Sequence, residues 1–178
     1  MEKYIAFDVE TPNAKNDRIS SIGAAVIENG KIVETYSSLV NPETYFSSFN
    51  IELTGINKQK VKNAPNFKSV WKELEPIFKG GILIAHNAAF DMGVLAKCIK
   101  SYNIEDVSSF SYACTVRMSR KCFPELENHK LNTVCDYLNI ALDHHKADSD
   151  SVACAKIFIE CVKRGMDPQD FIKIFEIN

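Results

Sequence analysis

No run of roughly 18 uncharged apolar residues occurs in this 178-residue chain, so a membrane-spanning helix is not expected. The opening segment MEKYIAFDVE is charged from its second residue and lacks the apolar core of a secretory leader, which predicts a cytoplasmic protein. Charge of one sign is not in excess either. With 21 Lys and Arg against 23 Asp and Glu, the net charge is −2, which excludes histone-like binding of nucleic acid by lysine density alone. The six cysteines, at positions 98, 114, 122, 135, 154 and 161, never adopt the C-x-x-C spacing of a structural zinc site or redox pair, and they read as reduced core thiols. The chain also lacks repeats, linkers and low-complexity tracts.

What is present is ordinary globular material, 46% hydrophobic and 25% charged, in a length that suits one domain over residues 1–178. Tyr4 to Val9 and Ile19 to Ile27 read as strands, and Asn29-Gly30 supplies the positive φ of a tight hairpin turn into a third strand, Ile32 to Val40. Leu53 to Ile56 reads as a loop leading into a short helix near Asn57 to Val61. Asn66 caps a helix whose apolar stripe includes Trp71 and Leu74, with Pro76 expected to distort its last turn. A buried strand, Ile82 to Ala85, and a helix carrying Val94, Leu95 and Cys98 follow. Then come a strand near Phe110 to Cys114, helices around Thr115 to Cys122 and Leu131 to Leu138, a long amphipathic helix through Cys154 to Val162, and a terminal helix started by Asp167-Pro168. The order argues for an α/β fold, a mixed sheet flanked by helices.

Carboxylates occupy positions where hydrophobes are expected. Asp8 and Glu10, two apart on a strand, leave the same face as Tyr4 and Ala6. Asp91 stands three, four and seven residues before Val94, Leu95 and Cys98, on the apolar stripe of its helix. Asp150 precedes Cys154, Ile157 and Cys161 by four, seven and eleven, heading a second such stripe. At about 4 Å and an effective dielectric near 20, each pair of like charges repels by roughly 4 kcal/mol, so four ionised carboxylates cannot converge uncompensated. Two divalent cations would balance them, and an all-oxygen ligand set suits Mg²⁺ or Mn²⁺. The competing reading places Asp91 and Asp150 as first-turn helix acids and leaves Asp8 and Glu10 facing solvent.

The motifs around these acids favour the first reading. Phe7-Asp8-Val9-Glu10-Thr11, His86-Asn87-Ala88-Ala89-Phe90-Asp91, and His145 with Asp150 five residues on together resemble the DEDDh 3′→5′ exonucleases, which include the proofreading epsilon subunit of bacterial DNA polymerase III. The resemblance extends to Val40-Asn41-Pro42, Leu53-Thr54-Gly55-Ile56 and Asn128-His129-Lys130-Leu131. It implies an RNase H-like fold with a five-stranded mixed sheet, and two divalent ions held by Asp8, Glu10, Asp91 and Asp150 with His145 as general base. It further implies hydrolysis at single-stranded or frayed DNA 3′ ends to nucleoside 5′-monophosphates. Thr11 is expected to hold the terminal 3′-hydroxyl, and Leu53 or Ile56 to wedge against the last base. The first motif departs from many relatives at Pro12-Asn13-Ala14. The alternatives are a small-RNA 3′ trimming enzyme and a noncatalytic module that binds nucleic-acid ends or docks on a polymerase. The chain ends soon after its last helix, with no tail resembling the epsilon subunit's polymerase tether, so polymerase association stays open but stable replisome membership finds no support in the sequence.

Neighbouring residues have plainer readings. His86 is expected to be a structural hydrogen-bonder, Asn87 a helix cap, Phe90 core and Asp148 a first-turn acid, while His129 has no evident partner. Arg117, Arg120 and Lys121 share one helical face and read as solvated charge more readily than as phosphate contacts.

Overall fold

The computed structural model describes residues 2–177. Three antiparallel strands come first, β1 (Tyr4–Glu10), β2 (Ser21–Glu28) and β3 (Lys31–Leu39), with the Asn29-Gly30 turn at φ 53° and 69°. A short helix α1 (Ser48–Thr54) follows, upstream of the expected segment. The Ser47 side chain caps it, and Gly55, at φ 67°, closes it by donating to the Ile51 carbonyl. Residues 58–63 form turns instead: Asn57 Oδ1 accepts the Lys60 N–H at 3.0 Å as a helix cap does, but after one bond from the Val61 N–H to the Asn57 carbonyl at 3.3 Å the chain continues in tighter turns, Lys62 N–H to the Gln59 carbonyl and Ala64 N–H to the Val61 carbonyl. Helix α2 (Phe67–Phe78) keeps its regular course past Pro76, which sits in the last turn and removes only one donor.

Strand β4 (Ile82–Ala85), helix α3 (Ala89–Ser101), strand β5 (Ser109–Cys114) and helices α4 (Thr115–Cys122), α5 (Leu131–Leu138) and α6 (Ala147–Lys163) complete the expected series. After Asp167 the expected terminal helix amounts to one 3₁₀ turn (Pro168–Phe171), and the chain then forms a strand, β6 (Lys173–Glu176). The sheet therefore has the five expected strands plus one more, in the order β3-β2-β1-β4-β5-β6. Strands β1, β4 and β5 run parallel, and the outer strands pair antiparallel.

Alternation along β1 sets the two layers. Ile5, Phe7 and Val9 pack with Trp71, Leu74 and Phe78 of α2 and Leu95 and Ile99 of α3. Ala6 and its neighbours on the other face pack with Met118, Val134, Ile157 and Phe158 of α4, α5 and α6. Gly23 pairs with Asp8 across the β1–β2 ladder, and a Cβ there would lie 2.1 Å from the Ala147 carbonyl oxygen. Only glycine lets α6 begin against β2 at this point, which brings the first turn of α6 beside the end of β1. Among the described residues no helix is long and apolar enough to cross a membrane.

Candidate active site

Pairing of β1 with β4 ends at Ala6, so the strand continues beyond its parallel neighbour with Asp8, Val9 and Glu10. There the Val9 N–H donates to Asp91 Oδ1 at 3.3 Å, a contact that fixes the start of α3 against β1. Asp91 and Asp150 are each 3% exposed and Glu10 is 7% exposed. These three are carboxylates buried where strand and helix ends meet, as the spacing argument required. Asp8, Glu10 and Asp150 bring one oxygen each within 4.8 Å of one another; Asp91 stands outside that trio, tied to the β1 backbone.

Burial raises the pKa of every member. Asp8 is pushed well above the usual carboxylate range by desolvation and by the charges of Asp91, Glu10 and Asp150. Glu10 is pushed up to about 7 by burial and by Asp150. Asp91 and Asp150 are raised mainly by burial, and Asp150 is partly relieved by His144.

Asp150 is held through one oxygen. Its Oδ2 lies 2.9 Å from His144 Nδ1 and accepts the His145 backbone N–H at 3.1 Å, whereas its buried Oδ1 has no partner among the described residues. A buried acceptor without a donor calls for a proton or a cation. Three carboxylates with oxygens this close, and an unpartnered buried oxygen on Asp150, fit a hard divalent ion such as Mg²⁺ or Mn²⁺. Of the two neighbouring histidines only His145 has the five-residue separation from Asp150 that the resemblance implies for the base; the rings of His144 and His145 stack with centroids 3.9 Å apart. His145 itself adopts φ 65°, and its ring nitrogens make no hydrogen bond among the described residues. Its pKa is lowered by burial and by His144.

A cavity of about 780 Å³ opens over this cluster. Thr11 lines it, with its carbonyl and hydroxyl oxygens accepting from Asn50 Nδ2 at 2.9 and 3.2 Å, while Ser47 Oγ donates to Asn50 Oδ1 at 2.6 Å. Helix α1 contributes Phe49 and Leu53, one turn apart and 69% and 41% exposed. Ile56, the other wedge candidate, is buried and outside the cavity lining. The departure at Pro12-Asn13-Ala14 serves as an anchor: Ser47 N–H donates to the Pro12 carbonyl at 2.9 Å, and Asn13 Nδ2 donates to the Tyr45 carbonyl at 2.8 Å.

Asn87, Phe90 and His129 depart from their expected places, whereas His86 and Asp148 keep theirs. Asn87 does not cap α3; it sits at φ 68° and Ala88 precedes the helix without any side-chain cap. Phe90, in the first turn of α3, is 41% exposed and lines the cavity instead of the core. His129 has two roles: Nε2 lies 3.1 Å from the Phe123 carbonyl, and its own carbonyl lies 3.0 Å from His86 Nε2. His86 is structural, with Nδ1 2.9 Å from Thr115 Oγ1 and a pKa held down to about 4 by burial. Asp148 is exposed in the first turn of α6, and Lys121 pairs with Asp170. Phe49 and Asn50 escape sequence reasoning because α1 itself does; their signal is Ser47, a good cap three residues before Asn50.

The family model described as "Exonuclease" matches residues 5–158. The DNA polymerase III PolC-type protein of Oceanobacillus iheyensis is 37% identical over 171 residues, covering 94% of this chain and 12% of that protein. The 3′-5′ exonuclease DinG of Bacillus subtilis is 34% identical over 167 residues, covering 92% of this chain and 18% of its own length. The chain thus spans a small part of these curated relatives. The solved structure "Exonuclease X in complex with 5′ overhanging duplex DNA" shares the fold, with a TM-score of 0.76 at 21% identity over 96% of this chain and 97% of the other. A match running from the first strand to the last long helix, with the motif acids gathered at its centre, means that the chain belongs to the exonuclease family, as its DEDDh resemblance implied.

Proposed function

We propose that this chain, as one exonuclease domain, removes nucleotides from the 3′ ends of single-stranded or frayed DNA and releases nucleoside 5′-monophosphates. The observation that carries the reading is the buried carboxylate cluster at the end of β1, with Asp150 Oδ1 left unpaired. Asp8, Glu10, Asp91 and Asp150 would hold two divalent ions, Mg²⁺ or Mn²⁺, and such ions supply charge neutralisation and electrophilic assistance to phosphodiester hydrolysis. His145 takes the proton of the attacking water. Its ring nitrogens are free of hydrogen bonds among the described residues and its pKa lies below the ordinary histidine value, which favours the neutral ring that can accept a proton. Thr11, braced by Asn50, holds the terminal 3′-hydroxyl. Leu53 and Phe49 pack on the last base and part it from any paired strand.

DNA is favoured over RNA because the relatives above 30% identity include DNA polymerases. Having all five motif residues at one cavity weighs against a noncatalytic end-binding module. Matched 3′-labelled DNA and RNA oligonucleotides, incubated with Mg²⁺ or Mn²⁺, test the proposal. Labelled mononucleotide should leave the DNA faster; equal or preferential attack on RNA would transfer the reading to RNA trimming, and no release with either ion would end it.

A further inference from the structure

The cavity carries both signs of charge, from different elements. Its carboxylates come from β1, α3 and α6, whereas Arg120 of α4 and Lys130, just before α5, bring the lysine and arginine charge. Val116 and Arg120, one helical turn apart, both reach the cavity; Arg117 is exposed outside its lining, and Lys121 is engaged with Asp170 and lies over the Phe171 ring. Neither Arg120 nor Lys130 forms an ion pair among the described residues, although four carboxylates line the same cavity. The segment carrying Lys130 is fixed in place: Asn128 Oδ1 accepts from the Lys130 N–H at 3.1 Å and from Thr133 Oγ1 at 2.8 Å, and the neighbouring His129 is bonded on both sides. Two exposed cations without an ion-pair partner among the described residues, both lining the acidic cavity, are available to an anionic ligand.

Resting on the exonuclease reading, we propose that Arg120 and Lys130 form a subsite for the phosphodiesters upstream of the scissile bond, so that the enzyme grips a chain rather than a terminal nucleotide alone. A guanidinium presents paired donors to phosphate oxygens, and an ammonium adds a point charge. Such contacts are independent of base and contribute affinity that falls with salt.

The test compares kcat/KM on a single-stranded DNA oligonucleotide with that on the p-nitrophenyl ester of thymidine 5′-monophosphate, which has a cleavable phosphodiester and nothing upstream. Arg120→Ala should lower the oligonucleotide-to-ester ratio by about tenfold, and Arg120→Glu by more. Each of Arg120→Ala and Lys130→Ala should reduce the slope of log kcat/KM against log salt by about 0.7 on the oligonucleotide. Arg120→Lys should recover part of the loss, and Arg117→Ala should match the wild type. An equal fall on both substrates, an unchanged ratio, or an equal effect of Arg117→Ala would overturn the subsite. A wild-type enzyme that hydrolyses neither substrate would overturn the exonuclease reading and this inference with it.

Discussion

His144 Nδ1 lies 2.9 Å from Asp150 Oδ2, and the residue next to it, His145, reaches the same oxygen only through its backbone N–H. The side chain that braces the carboxylate and the one free to accept a proton are therefore adjacent in sequence and different in function. Replacing His145 by Ala should cut turnover by roughly 10² to 10⁴-fold while leaving DNA affinity nearly intact. His144→Ala should have a much smaller effect, because the His145 N–H continues to hold Asp150. Equal losses, measured as kcat in single-turnover assays, would contradict the assignment.

The same pair sets the pH profile. Burial and His144 lower the His145 pKa, so the acid limb of kcat/KM should lie below pH 6.5, where the ring protonates and can no longer accept a proton. The His145→Ala enzyme should lose that limb. Persistence of the limb in that variant would move the base elsewhere.

Stability of the metal-free protein should run the other way. Glu10 has its folded pKa raised from 4.5 to about 7, so its contribution to stability is complete below pH 4.5 and is lost as the pH rises through 7. The loss from this one group is on the order of 3 kcal/mol. Measured in EDTA, Glu10→Gln should melt higher than the wild type at pH 8, with the difference vanishing near pH 4.5. A Tm difference independent of pH would contradict the repulsive cluster.

The apolar wall on α1 yields a substrate-dependent effect. Wild-type enzyme should cut duplex ends more slowly than single strands, since fraying costs about 1 to 2 kcal/mol per step. Phe49→Ala and Leu53→Ala should each raise KM for single-stranded DNA by about tenfold and slow duplex ends further. Ile56→Ala should instead cost about 2 to 5 kcal/mol of fold stability, as a buried truncation, with KM unaltered. A wedge at Ile56 would reverse these two outcomes.

Much of this arrangement was legible in the residues. The hairpin, the buried acids at Asp91 and Asp150 and the layering of helices on the sheet follow from periodicity, which a single sequence displays. What stayed hidden depends on contacts between distant segments. Helix α1 is seven residues long, under two turns and shorter than the window over which apolar periodicity stands out, and it is framed by Ser47 and Gly55. Strand β6 exists because Lys173 to Glu176 pair with β5, and nothing local in KIFE requires a strand. The spacing of Asp8 and Glu10 gave their common face, but only the approach of α6 over Gly23 brings Asp150 to them. Spacing sets His144 aside as the base but does not show its bracing of Asp150, which lies in a hydrogen bond and has no periodic signature.

The most direct measurement of the central claim is a time course of a 5′-labelled single-stranded DNA oligonucleotide resolved at single-nucleotide length, run with EDTA, with Mg²⁺ or Mn²⁺ restored, and with Asp8→Ala and Asp91→Ala. The account predicts a ladder shortening one nucleotide at a time from the 3′ end, abolished by EDTA, restored by either ion, and absent in both variants although they remain folded. Full activity in EDTA, or early mid-length fragments from internal cutting, would contradict it.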